Sequence, residues 1–192
     1  MLSVIPAAIV EMILGWLFSF HIVINALFIG FVEEYFKFLA VFLFIYRKKH
    51  IFNSIMDGMV YSTAAAMGFA SLENVLYIFM YANQGIFTIF ILRALLATIG
   101  HLTFAAWWGY ALGKKRMGQI KSVLGGVTLA AVFHAFYDAL VFSQYLALGA
   151  VILVVFLAIH FFRDIRHTLK NSPFRDVNKK EKPFIVEKKI DV

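Results

Sequence analysis

Apolar residues run along the chain in blocks of about 20, the length that crosses a hydrocarbon layer as a helix. Six blocks can be drawn, at roughly 3–22, 26–46, 58–80, 88–112, 122–142 and 145–163. The first two form one apolar run from Leu2 to Tyr46, too long for a single crossing, so a turn is expected near His21–Asn25. No basic residue precedes that run and the next block follows directly, so it does not read as a signal peptide. No internal repeat, low-complexity segment or second domain is visible. The pattern predicts an all-α, polytopic transmembrane bundle of about six spans over 1–163, with a flexible tail over 164–192.

Composition strengthens that reading. Of 192 residues, 62% are hydrophobic and 15% charged, against about 25% charged in an ordinary soluble domain. Mean hydropathy is +0.82. A soluble domain of this size could not hide so much apolar surface, so a soluble enzyme and a disordered chain are both excluded. The absence of cysteine excludes a disulfide framework, a thiolate zinc site, an iron–sulfur cluster and a cysteine nucleophile.

The formal net charge of +7 is explained by position. Sixteen of the 18 lysines and arginines lie at Arg47–Lys49, between Lys114 and Lys121, or from Arg163 onward. The alternate connections, near Asn25, Asn83–Gly85 and Ser143–Gln144, carry none. The positive-inside rule then places both termini in the cytoplasm. From Arg163 onward there are nine basic and five acidic residues with Pro173 and Pro183, a composition suited to a flexible segment beside anionic lipid. No nucleic-acid partner is expected.

Charges inside the blocks are the informative remainder. They are Lys37, Arg93, Glu11, Glu33, Glu34, Glu73 and Asp138, joined by His101 and His134; Asp57 lies just before the third block. A charge at mid-bilayer costs about 2.5–3.5 kcal/mol even on the lenient insertion scale, so such residues face one another and mark a site by default. At about 1.5 Å of rise per residue, Glu33, Glu73, His101, His134 and Asp138 fall in one slab about 8 Å thick, on four different helices. Glu33 and Lys37 share a helix face at i, i+4, and Glu34 and Lys37 at i, i+3. One lysine can neutralise one carboxylate, and a pair held in two protonation states is what acid–base chemistry uses. His134 and Asp138 are also i, i+4; the aspartate can orient the imidazole, co-ligate a metal or satisfy a buried histidine. Gly68, Gly109 and Gly113 are expected to allow close helix approach, and Trp107 and Trp108 to serve packing or the interface.

At these residues the chain resembles the PrsW family of intramembrane proteases. The matching stretches are Glu33-Glu34-x-x-Lys37; Asp57-Gly58 running on to Glu73-Asn74; Arg93 followed by His101 and Gly109; and His134-x-x-x-Asp138. They stand in the family's order across about 32–138. PrsW proteins are also similar to the type II CAAX prenyl endopeptidases. That resemblance implies that Glu33 or Glu34 activates water and that His101 assists or holds it. It also implies that His134, with the residue four positions on, stabilises the oxyanion. In the CAAX enzymes that last position is usually asparagine; an ionised Asp138 would repel an oxyanion, so it must be protonated, face elsewhere or serve a metal. Lys37, Glu73, Asn74, Arg93 and Asp138 are the expected supporting residues.

The resemblance further implies a multi-pass protein of a prokaryotic plasma membrane. Its substrate would be a membrane protein or peptide, with regulated cleavage of a single-pass partner such as an anti-sigma factor. No cofactor, or a zinc ion on Glu33, Glu73, His101 and His134, is expected, since two histidines plus a carboxylate is a known catalytic zinc set. No H-E-x-x-H, G-x-S-x-G or G-x-G-D signature is present. Three other readings fit the same residues: a proton-coupled transporter or channel, a CAAX-type prenyl endopeptidase, and a non-catalytic membrane binding partner.

Overall fold

The computed structural model describes residues 3–17, 22–81, 87–143 and 146–172. Among them all the regular structure is helical: α1 (Val4–Leu17), α2 (Ile22–Val41) running into a π-helical turn (Phe42–Tyr46), α3 (Ile55–Tyr81), α4 (Phe87–Arg116), α5 (Leu124–Phe142) and α6 (Ala147–Lys170). Each hydrophobic block becomes one helix. Two boundaries differ from expectation. Asn25 lies inside α2, so the first connection falls in 18–21, outside the described residues. Helix α6 continues past 163 to Lys170, because Arg163, Arg166 and Lys170 are good helix formers and reach the exposed side. Asn83–Gly85, Gln144 and the tail from 173 lie outside the described residues.

By length and composition, α5 and α6 can each cross a membrane. The polarity of the whole bundle is inverted relative to a water-soluble fold. Trp16 is 82% exposed and Phe79 80%, while Lys37 and Glu34 are 0% exposed. Large apolar side chains outside and charges inside suit a lipid solvent, in which an exposed tryptophan carries no hydrophobic penalty.

Close helix approach positions the interior. Helix α3 packs along α4, α2 along α5, and α4 also touches α2, α5 and α6. A Cβ on Gly30 would lie 2.7 Å from both the Ala131 carbonyl oxygen and the Ala135 amide nitrogen, so only glycine lets α2 sit this close to α5. Gly58 meets Gly109, and Gly113 meets Ile55, in the same way between α3 and α4. Of the three glycines expected at such contacts, Gly109 and Gly113 are there. Gly68 is not: a Cβ on it would meet nothing within 4 Å. The amides of Asn53 and Ser54 donate to the Asp57 carboxylate at 2.8 Å, and the Asp57 amide donates to Ser54 Oγ at 3.1 Å. That reciprocal cap starts α3 and gives Asp57 a structural task. The apolar core continues on Phe52, Phe104, Trp108, Leu112, Val154 and Leu157.

Candidate active site

Helix α2 supplies the centre of the site. Its i, i+3 and i, i+4 spacing turns Glu33, Glu34 and Lys37 to one interior face. The Lys37 ammonium donates to Glu33 Oε2 at 3.0 Å, to Glu34 Oε1 at 2.8 Å and to His101 Nδ1 at 2.8 Å. An ammonium has three N–H donors, so all three are engaged. The Phe69 ring lies 4.3 Å from the same nitrogen, and a cation gains there from the ring face.

Those bonds decide the histidine tautomers by partner chemistry. His101 Nδ1 accepts from Lys37, so its proton is on Nε2, which donates to Glu73 Oε2 at 2.8 Å. His134 Nδ1 lies 3.1 Å from Glu34 Oε1 and donates to that carboxylate. In the neutral ring, His134 Nε2 then carries a lone pair. It points toward Glu33 Oε2 at 3.8 Å and Asp138 Oδ2 at 3.6 Å. Both gaps are too long for a direct hydrogen bond and suit a shared water. The two imidazoles meet edge to face with centroids 4.8 Å apart, and Phe104 stacks on His134 at 5.0 Å.

The two glutamates are not equivalent. Glu34 Oε1 takes Lys37 and His134, and Oε2 accepts from Trp108 Nε1 at 2.9 Å. With both oxygens occupied, Glu34 is an anchor that orients His134 and Lys37. Glu33 is bonded through Oε2 to Lys37, and its Oε1 makes no hydrogen bond among the described residues. It therefore keeps a lone-pair face for a reactant.

The expected residues divide accordingly. Glu33, Glu34, Lys37, Glu73, His101, His134 and Asp138 come together from α2, α3, α4 and α5. Asn74 does not join them: its Nδ2 donates to Thr98 Oγ1 at 3.2 Å, clamping α3 to α4. The side chain of Arg93 lies outside the described residues. Trp108, expected to serve packing or the interface, is fully buried and holds Glu34. Its sequence signal was its place seven residues after His101, two helical turns along the same face. The oxyanion role implied for His134 needs an imidazolium, because Nε2 of the neutral ring accepts rather than donates.

Donor atoms of Glu33, His101 and His134 lie within 4.8 Å of one another, a grouping that a zinc ion requires. The Lys37 ammonium, however, is 3.0 Å from the Glu33 oxygen and 2.8 Å from His101 Nδ1. The other nitrogen of His101 is turned to Glu73. A divalent ion on this set would stand against a buried cation already bonded to two of its ligands. As arranged, the residues do not fit a metal unless Lys37 withdraws.

A helical bundle with an apolar exterior and a largely buried carboxylate–lysine–histidine network defines a membrane protein with its charged groups gathered inside. Residues 1–162 match the family described as PrsW family intramembrane metalloprotease, and the chain belongs to that family. It is 36% identical to Protease PrsW of Halalkalibacterium halodurans over 115 residues, 58% of this chain and 51% of that one. It is 34% identical to Protease PrsW of Bacillus subtilis over 113 residues, 57% and 50% of the two chains. To Protease PrsW of Oceanobacillus iheyensis it is 32% identical over 142 residues, 71% and 64% of the two. The chain thus spans about half the length of the first two curated relatives. No solved structure gives a significant match.

Proposed function

We propose that this chain is an intramembrane endopeptidase in which Glu33 activates water. The observation that carries the reading is the asymmetry of the pair: Glu34 is saturated by Lys37, His134 and Trp108, whereas Glu33 is hydrogen-bonded only through Oε2, the oxygen 3.8 Å from His134 Nε2. A water between Glu33 and His134 donates one hydrogen bond to each. As its oxygen attacks the scissile carbonyl carbon, one proton passes to Glu33. The C–N bond then breaks, Glu33 returns that proton to the departing amine, and the new carboxyl group keeps the other hydrogen. Lys37 holds Glu33 in place, and Glu73 fixes the ring of His101.

The substrate is a segment of another membrane protein, with a single-pass partner such as an anti-sigma factor as the expected case. The chain crosses a prokaryotic plasma membrane six times with both termini cytoplasmic; the distribution of basic residues supports this. The reaction needs no zinc, because Lys37 already stands among the donors as their cation.

The test is cleavage of a fluorescent transmembrane peptide by the purified protein, with and without chelator, alongside elemental analysis. Cleavage that survives chelator with no bound metal is the expected result. Cleavage lost to chelator and restored by zinc would overturn the metal-free mechanism. A folded protein that cuts no membrane peptide would overturn the protease.

One observation favours a second reading. Glu73, His101, Lys37, Glu34 and His134 form an unbroken hydrogen-bonded chain, as a proton relay in a transporter would need. Proton flux in liposomes that disappears in Glu73→Gln would support it.

A further inference from the structure

The end of the bundle that carries the basic connections contains a cavity of about 260 Å³ whose lining includes none of the residues gathered around Glu33. Ser54 at the start of α3, Tyr110, Lys114 and Met117 at the end of α4, and His167 and Asn171 at the end of α6 are among its walls. None of the residues lining it is acidic. The Asp57 carboxylate, one residue beyond the cavity wall, is committed to the amides of Asn53 and Ser54. The Lys114 ammonium lies 4.6 Å from the centre of the Tyr110 ring and has no carboxylate partner among the described residues. Asn171 Nδ2 donates to His167 Nε2 at 3.1 Å, which leaves the Nδ1 proton of that ring as a further donor.

Negative helix ends would oppose an anion here, but most of the last α4 carbonyls and two of the last α6 carbonyls are capped. The carbonyls of Gly113, Lys114 and Lys115 accept from Met117, Gln119 and Gly118, with Gly118 at φ 70° closing the end of α4. The carbonyls of His167 and Leu169 accept from Asn171 and Ser172. The cavity therefore presents a cation, hydroxyl and amide groups and, among the described residues, no competing carboxylate. It is smaller than the roughly 300–1,000 Å³ of pockets that hold drug-sized ligands, and it lies at the level where basic loops meet lipid headgroups.

We propose that this cavity binds a phosphate group through Lys114, carried either by a phospholipid headgroup or by a free phosphate ester. The assignment is independent of the protease reading. Its test is the thermal unfolding midpoint of the purified full chain in detergent, titrated separately with dioctanoyl phosphatidic acid, inorganic phosphate and phosphate-free dioctanoylglycerol. Phosphatidic acid should raise Tm saturably. The apparent Kd should weaken by about tenfold in Lys114→Gln, the loss of one charge-assisted hydrogen bond, and stay unchanged in Lys121→Gln, outside the cavity. Met117→Trp, which fills the cavity mouth and keeps the charge, should weaken it likewise and serves if Lys114→Gln fails to fold. A rise with phosphatidic acid alone identifies a lipid headgroup; an equal rise with inorganic phosphate identifies a free phosphate. An equal rise with dioctanoylglycerol, no rise with either phosphate ligand, or unchanged affinity in both cavity variants would overturn the proposal.

Discussion

Glu33 and Glu34 are adjacent in sequence and opposite in duty, and the difference is set by their partners. Removing one member of a buried ion pair costs about 3–5 kcal/mol, so Glu34→Gln, which strips Lys37 and His134 of their anchor, should lower stability on that scale. Glu33→Gln loses one bond to Lys37 and should destabilise distinctly less, measured by chemical denaturation in the same detergent. Trp108→Phe keeps the ring bulk and deletes the donor to Glu34 Oε2. A hydrogen bond to a charged group is worth about 1.5–3 kcal/mol, and a loss within that range is expected, with peptide cleavage slowed but not abolished. The motif spacing made Glu33, Glu34, His101 and His134 legible in the sequence. The inequality of the glutamates was not, because it depends on Trp108 and His134 arriving from α4 and α5.

At the scale of the elements, the six apolar blocks anticipated the six α-helices among the described residues because hydrocarbon length is a strong constraint. Helix pairing was less legible, since a glycine's neighbours come from other helices. Gly68 looked like a packing glycine and faces open space, whereas Gly30 and Gly58, which were not singled out, are pressed against backbone. Gly30→Leu should push α2 from α5 and destabilise by about 1–3 kcal/mol as an overpacked site, with loss of cleavage because Glu34 leaves His134. Gly68→Ala should be neutral, or stabilise by up to about 1 kcal/mol through reduced backbone entropy. Thermal unfolding of the two variants beside the parent measures both. The π-helical turn after Val41 had no sequence signature; there Phe42 stacks on Phe38 at 5.6 Å and on Tyr46 at 5.2 Å.

For the whole molecule, the charge sorting that predicted topology is also what separates the two polar regions. Basic residues gather at one end, where the phosphate cavity is proposed, and the acid–base network is sealed inside. The absence of cysteine makes the topology directly testable. Gln119→Cys in right-side-out vesicles should resist a membrane-impermeant maleimide until the vesicles are opened, while Ser143→Cys should react at once. The opposite pattern would reverse the orientation. The charge blocks alone supplied this prediction, but they could not reveal that Lys37 is bonded to Glu33 and His101, two of the three residues grouped for a metal, which required the folded site.

The central claim is that Glu33 is the base, and single-turnover cleavage of a transmembrane peptide by Glu33→Gln measures it most directly. A positioned general base contributes about 10²–10⁴-fold. The expected rate is lower by that factor in a variant that keeps the unfolding transition of a folded bundle. Cleavage by folded Glu33→Gln at the parent's rate would contradict it.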